Sequence, residues 1–255
     1  MPGLRIYICG RMAIESHGHR ILEREFPARQ GRLLWAYLVI QRQRPVGKLE
    51  LADALWGDEI PDGWDNTLNA IASRLRSMLR PLRDHWPDLT IVVDSGRYQL
   101  SLPAGAFVDR ERARAGLHMA ESALTAGDFE TARGEARVAM EIAARGFMDG
   151  ETAPWIEGQR RSLLDIRVHA WECTIDAELR RGNHQRAERE AEDLLGLDPL
   201  NEKAYRIQML ASIALGNRAG AVRAMERCRE SLRLLADIEP STETLRAYQQ
   251  ATTLH

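Results

Sequence analysis

The sequence predicts a mostly α-helical protein with a small β component, organised as two domains. Three observations carry this. Short alternating runs mix with helical periods through the first hundred residues, everything beyond about residue 106 is helical in pattern, and a Gly-polar-x-x-x-Ala signature recurs there at an offset of 34 residues. Length agrees, since 255 residues is two ordinary domains when domains cluster near roughly 100 to 150 residues. A hydrophobic fraction of 44% with 28% charged residues is globular composition and excludes a disordered chain.

The first domain is read as residues 1–102. Leu4 to Cys9 alternates like a strand, Met12-Ala13-Ile14 resumes after Gly10, and Gly18 marks a turn before Arg20-Ile21-Leu22, which together predict a small antiparallel sheet. Behind Pro27, the positions Leu33, Leu34, Tyr37, Leu38 and Ile40 fall at helical spacing. A second helix runs from about Lys48 to Trp56, where Gly57 stops it. The following loop, Gly57 to Gly63, is too rich in Gly, Pro and Asp to be helical. A third helix begins near Asp65 or Asn66, either of which can cap it. Thr90 to Leu100 reads as a hairpin with Ser-Gly near its tip, and Ser101 to Gly105 as a short linker.

The third helix carries the chemistry. Leu68, Ile71, Leu75, Leu79 and Leu82 form one apolar stripe, and roughly opposite lie Asn69, Ala70, Ser73, Arg76, Ser77 and Arg80, with Arg74 on the flank. Between Thr67 and Arg83 there are four arginines and no acid. The net charge of -2 hides this, because residues 1–105 carry +2 and residues 106–255 carry -4. A carboxylate-free face of small, polar and arginine side chains suits a polyanion.

The second domain is read as residues 106–255. Gly182-Asn183-His184-Gln185-Arg186-Ala187 and Gly216-Asn217-Arg218-Ala219-Gly220-Ala221 repeat Gly, Asn and Ala at the tetratricopeptide period, and Gly127-Asp128-Phe129-Glu130-Thr131-Ala132 has the same form upstream. Glycine ends one helix, Asn or Asp caps the next, and the small alanine lets paired helices approach. Asp198-Pro199 and Glu239-Pro240 each introduce another helix. The expectation is a helical array offering a concave surface to a protein partner.

Several classes are excluded. Cys9, Cys173 and Cys228 are far apart and in no metal-ligand spacing, and His17-Gly18-His19 reads as a solvated hairpin loop. No G-x-S-x-G or H-E-x-x-H motif is present, so neither catalysis nor a cofactor nor a metal is expected. No apolar run is long enough for a membrane, which a span needs to be roughly 18 to 20 residues, and the start lacks a signal peptide. A cytoplasmic, non-enzymatic protein is expected. Trp35 and Trp56 sit on apolar helix faces and are assigned to the core.

The order sheet, three helices, hairpin resembles the winged-helix DNA-binding domain of the OmpR/PhoB class. The residues that carry this are Leu51-Ala52-Asp53-Ala54-Leu55-Trp56, Asn66-Thr67-Leu68 with Ser73-Arg74-Leu75-Arg76, and Gly96-Arg97-Tyr98-Gln99-Leu100. The remainder resembles the bacterial transcriptional activator domain through Ala106-Phe107-Val108-Asp109, Pro154-Trp155, Asp198-Pro199-Leu200-Asn201-Glu202 and Glu239-Pro240-Ser241. Together they are similar to the Streptomyces antibiotic regulatory protein (SARP) family, in its short form, since no P-loop follows. The chain departs from the family at Ile71, where a histidine is usual, at Met225 in place of a tyrosine, and at Ala236-Asp237 in place of Leu-Gly.

This resemblance implies a sequence-specific transcription factor, an activator that binds double-stranded promoter DNA and recruits RNA polymerase holoenzyme, located at the nucleoid. The third helix would enter the major groove, with Arg74 bidentate to a guanine, Arg76 on phosphate, Ala70 against a thymine methyl and Arg97 at the minor groove or its phosphates. Asp58, Glu59, Asp62 and Trp64, in the loop before that helix, would face the polymerase. Specificity would come from a weak dimer or cooperative pair on direct repeats. The alternative is a tetratricopeptide-type scaffold whose winged helix no longer binds DNA.

Overall fold

Arg5-Ile6-Tyr7 alternates exposed and buried side chains and forms β1 (Arg5–Tyr7), which pairs antiparallel with β2 (Ala13–Ser16); β2 in turn pairs with β3 (His19–Leu22). The register sets Ile6 opposite Ile14 and Ile14 opposite Ile21, so three buried isoleucines line one row across the sheet. His17 and Gly18, both at positive φ, make the two-residue turn between β2 and β3. The computed structural model describes residues 3–253 and divides into two units, Met1–Arg112 with Arg145–Ser162, and Ala113–Ala144 with Leu163–His255.

In the first unit α1 (Ala28–Ile40) buries Leu33, Leu34, Trp35, Tyr37 and Leu38. After it β4 (Val46–Gly47) leads directly into α2 (Lys48–Trp56), which stops at Gly57, and α3 (Trp64–Arg83) follows. The stripe Leu68, Ile71, Leu75, Leu79 and Leu82 is buried as its spacing requires. Each such side chain contributes roughly 1.5–3 kcal/mol of transfer free energy, which fixes the rotation of α3 about its axis. Pro81 lacks the N–H that would continue the hydrogen-bond ladder, and the helix ends two residues later.

β5 (Thr90–Asp94) and β6 (Arg97–Ser101) form the expected hairpin, and β4 adds to it in the order β4-β6-β5. Ser95 and Gly96 both take positive φ, the geometry of a two-residue turn that matches strand twist. The stretch after the hairpin is not wholly linker and helix. Ser101 closes β6, and β7 (Phe107–Val108) joins the first sheet parallel to β1, giving the order β3-β2-β1-β7. Next to β7 the carboxylate of Asp109 is buried and accepts from the backbone N–H groups of Ile8, Cys9 and Arg110, which ties the end of β1 to the first turn of α4 (Asp109–Ala126). Burial pushes its pKa up against those three hydrogen bonds.

Residues 145–162 complete the first unit. The Gly10 N–H donates to Gly146 O at 2.9 Å, Arg29 forms a bidentate pair with Glu151, and Trp155 Nε1 donates to Ala54 O at 3.0 Å while its ring meets Tyr37 edge-on.

The second unit is helical: α5 (Phe129–Ala143), most of α6 (Pro154–Arg180), α7 (His184–Leu197), α8 (Glu202–Ala214), α9 (Arg218–Ala236) and α10 (Thr242–Thr253). Asp128, Asn183 and Asn217 each stand at a helix start behind a glycine of positive φ. Asp128 and Asn217 cap their helices as the repeat predicts, whereas the Asn183 side chain makes no capping bond and donates to Glu178 instead, and Ala132, Ala187 and Ala221 are fully buried. Tyr205, Ile207, Leu194, Cys228 and Leu232 pack with Ala187 and Ala191 in its core. Glu178 is also buried, taking a hydrogen bond from Asn183 Nδ2 at 2.6 Å with Arg186 at 3.3 Å and Arg133 at 3.7 Å. Where the family usually has glycine, Asp237 takes φ 53°, so a left-handed helix end is kept with a costlier residue.

Candidate nucleic-acid interface

The cap of helix α3 lies two or three residues earlier than its sequence suggests. Gly63, at φ 69° and ψ 18°, is the cap residue, a backbone conformation that suits glycine, and no side chain caps the helix. Asp65 and Asn66 are therefore not caps. Asp65 pairs with Lys48 Nζ at 2.6 Å, and Asn66 is exposed in the first turn. Trp64 is the first residue of α3 and half-buried rather than part of the loop, whereas Asp58, Glu59 and Asp62 are exposed in the loop as expected.

On the helix surface Asn69, Ala70, Ser73, Arg74, Ser77 and Arg80 are exposed. At about 100° per residue the middle of the outward face falls on Asn66, Ala70, Ser73 and Ser77, all small, with Arg74 on one flank and Asn69, Arg76 and Arg80 on the other. Small central residues let a helix approach base edges closely. Arg74, Arg80 and Arg97 have no acidic partner among the described residues, so their charge is available to an anion.

The second flank turns towards the hairpin. Arg76 is half-buried and donates from Nε to Ile91 O at 2.8 Å, so it braces the hairpin with one nitrogen and keeps its terminal amino groups for other partners. Tyr98, fully buried, donates its hydroxyl to Asn69 Oδ1 at 2.6 Å. Burial raises the Tyr98 pKa above its usual value, which keeps that hydroxyl a donor. These two bonds, seven residues apart on α3, lock helix and hairpin together.

Arg97 opens β6 and is exposed at the hairpin tip, opposite Asp94 in the register. The tip thus carries one charge of each sign. Lys48, at the start of α2, was not singled out by the sequence; its Cε stands 3.9 Å from where a Cβ on Gly96 would lie, beneath the hairpin tip, and the Asp65 carboxylate raises its pKa. Ile71 is buried in the stripe, so the position where the family usually has histidine offers nothing outward here.

A model of the bacterial transcriptional activator domain matches residues 108–251. The chain belongs to that family. Its architecture, a winged helix followed by a tetratricopeptide-like helical array, is that of SARP-type regulators. Among curated relatives of this family member, the regulatory protein AfsR of Streptomyces coelicolor is 33% identical over 208 residues, covering 82% of this chain and 20% of that protein. The transcriptional regulatory protein EmbR of Mycobacterium tuberculosis is 28% identical over 226 residues, covering 86% and 56%. The chain therefore spans about a fifth of the first relative's length and just over half of the second's. The solved structure of Mycobacterium tuberculosis EmbR in complex with low affinity phosphopeptide superposes with a TM-score of 0.88 at 23% identity, covering 98% of this chain and 65% of that one, which shows a shared fold.

Proposed function

We propose that this protein is a sequence-specific DNA-binding transcription factor that activates promoters carrying direct repeats by helping to recruit RNA polymerase holoenzyme. The observation that carries the reading is the exposed face of α3, where small residues lie between unpaired arginines beside a braced hairpin. A helix of this kind fits the major groove, where Arg74 makes the bidentate guanine contact and Asn66, Ala70, Ser73 and Ser77 approach base edges. Arg80, Arg97 and the terminal nitrogens of Arg76 meet phosphates, which position the helix without reading sequence. Asp58, Glu59 and Asp62 form an exposed acidic loop whose charge complements a basic polymerase surface. The names of the relatives, regulatory protein and transcriptional regulatory protein, agree with this role.

A gel shift on the protein's own upstream region, at two salt concentrations and with excess random competitor, tests it. Binding that survives competitor supports the reading. No binding even at low salt would favour the scaffold alternative, in which the helical array alone carries function.

A further inference from the structure

Resting on the DNA-binding reading, we infer that Tyr98 sets base preference through Asn69, holding its amide so that only hydrogen-bond donors face the groove. Asparagine is ordinarily a two-way reader: its amide can donate and accept at once and so pairs with the N6 and N7 edge of adenine. Here Oδ1 accepts from the Tyr98 hydroxyl, which turns it towards the hairpin. The Tyr98 hydroxyl donates to Asn69 Oδ1 at 2.6 Å, so the oxygen of the amide faces the tyrosine. Tyr98 is fully buried, and turning the amide over would take this acceptor away from its hydroxyl proton.

With Oδ1 held, Asn69 presents Nδ2 and its two N–H groups outward from an exposed position on α3. Donors alone complement the acceptors of the major groove, N7 and O6 of guanine or O4 of thymine, and clash with the exocyclic amino groups of cytosine and adenine. Tyr98 touches no DNA in this scheme. It is a positioning residue, and its effect is read as a change of base identity at one position rather than as a change in overall affinity.

The test is selection of binding sites from a randomised duplex library by the full chain and by Y98F and N69D, with thermal melting to monitor folding. Wild type is expected to enrich guanine or thymine at the position Asn69 contacts. Y98F releases Oδ1 and raises adenine there by about fivefold or more, the smallest discrimination expected of a bidentate pair. N69D keeps the tyrosine bond but presents an acceptor, so the same position moves towards cytosine, whose amino group donates. If Y98F melts at low temperature, N69D alone decides. A wild-type motif that both variants leave unchanged overturns the inference, as does a uniform loss with N69D at unaltered preference, which would mean a phosphate contact. A wild-type selection without any motif overturns the DNA reading itself and this inference with it.

Discussion

Arginines make up nearly all the basic residues, since only Lys48 and Lys203 are lysines among 35, but the helical repeats and the α3–hairpin surface put named arginines to different uses. In the helical unit named arginines are consumed by structure: Arg180 pairs with Asp176, Arg186 with Glu190 and Glu178, Arg227 with Glu192 and Gln208, and Arg133 with Glu130 and Glu178. On α3 and the hairpin Arg74, Arg80 and Arg97 form no ion pair among the described residues. The same side chain is thus a strut at these positions of the helical unit and an open cation on α3 and the hairpin. What separates them is the placing of carboxylates.

The largest expected effect lies on the strut side. Changing Glu178 to Ala strips the buried acceptor from Asn183 and from two arginines, which costs about 2–4 kcal/mol of stability. Thermal melting should show the loss while DNA affinity of the folded fraction stays unchanged. A Glu178→Ala protein as stable as wild type would show that this pairing is incidental.

Arg76 is the intermediate case, half strut and half open. Arg76→Ala should weaken all DNA sequences about equally and loosen the hairpin, with about 1 kcal/mol from the lost bond to Ile91. Arg76→Lys keeps the charge without the guanidinium geometry, so it should preserve the salt slope and still lose the brace. Measured salt slopes and melting temperatures of the two variants separate these halves.

On the open side, pairing on direct repeats predicts a phase effect. Inserting about five base pairs between repeats turns the second site to the opposite face, whereas about ten restores it. Cooperative binding in footprints should vanish with the first insertion and return with the second. Equal affinity for both spacings contradicts the head-to-tail pair.

The smallest effect concerns Lys48, which Asp65 holds at 2.6 Å. Asp65→Asn releases the ammonium to phosphate. The salt dependence should steepen by up to about one unit of slope, since each neutralised phosphate adds about 0.9. An unchanged slope would place Lys48 off the DNA.

Much of this was legible in the sequence where periodicity is long or turn chemistry strong. The α3 stripe recurs from Leu68 to Leu82 in a helix of 20 residues, Gly57 ends α2 at Trp56, Ser95-Gly96 makes the hairpin turn, and Asp128, Asn183 and Asn217 head their helices. Other features leave no such trace. β4 and β7 are two residues each, too short for an alternation, and residues 145–162 join the first unit through contacts distant in sequence, such as Trp155 to Ala54. At the candidate interface the sequence indicated which residues lie on α3, but not that Asn69 and Arg76 turn to the hairpin. That division depends on the position of β5 and β6, which helical periodicity does not encode.

If Arg74 reads sequence while the other arginines hold phosphate, binding of wild type and Arg74→Ala to a selected site and to random duplex under the same salt separates the two roles. Arg74→Ala should lose roughly 1 to 3 kcal/mol on the selected site, with relaxed preference at one base and a much smaller loss on random DNA. Equal losses on both duplexes, or a wild-type protein that does not distinguish them, would contradict this division of roles.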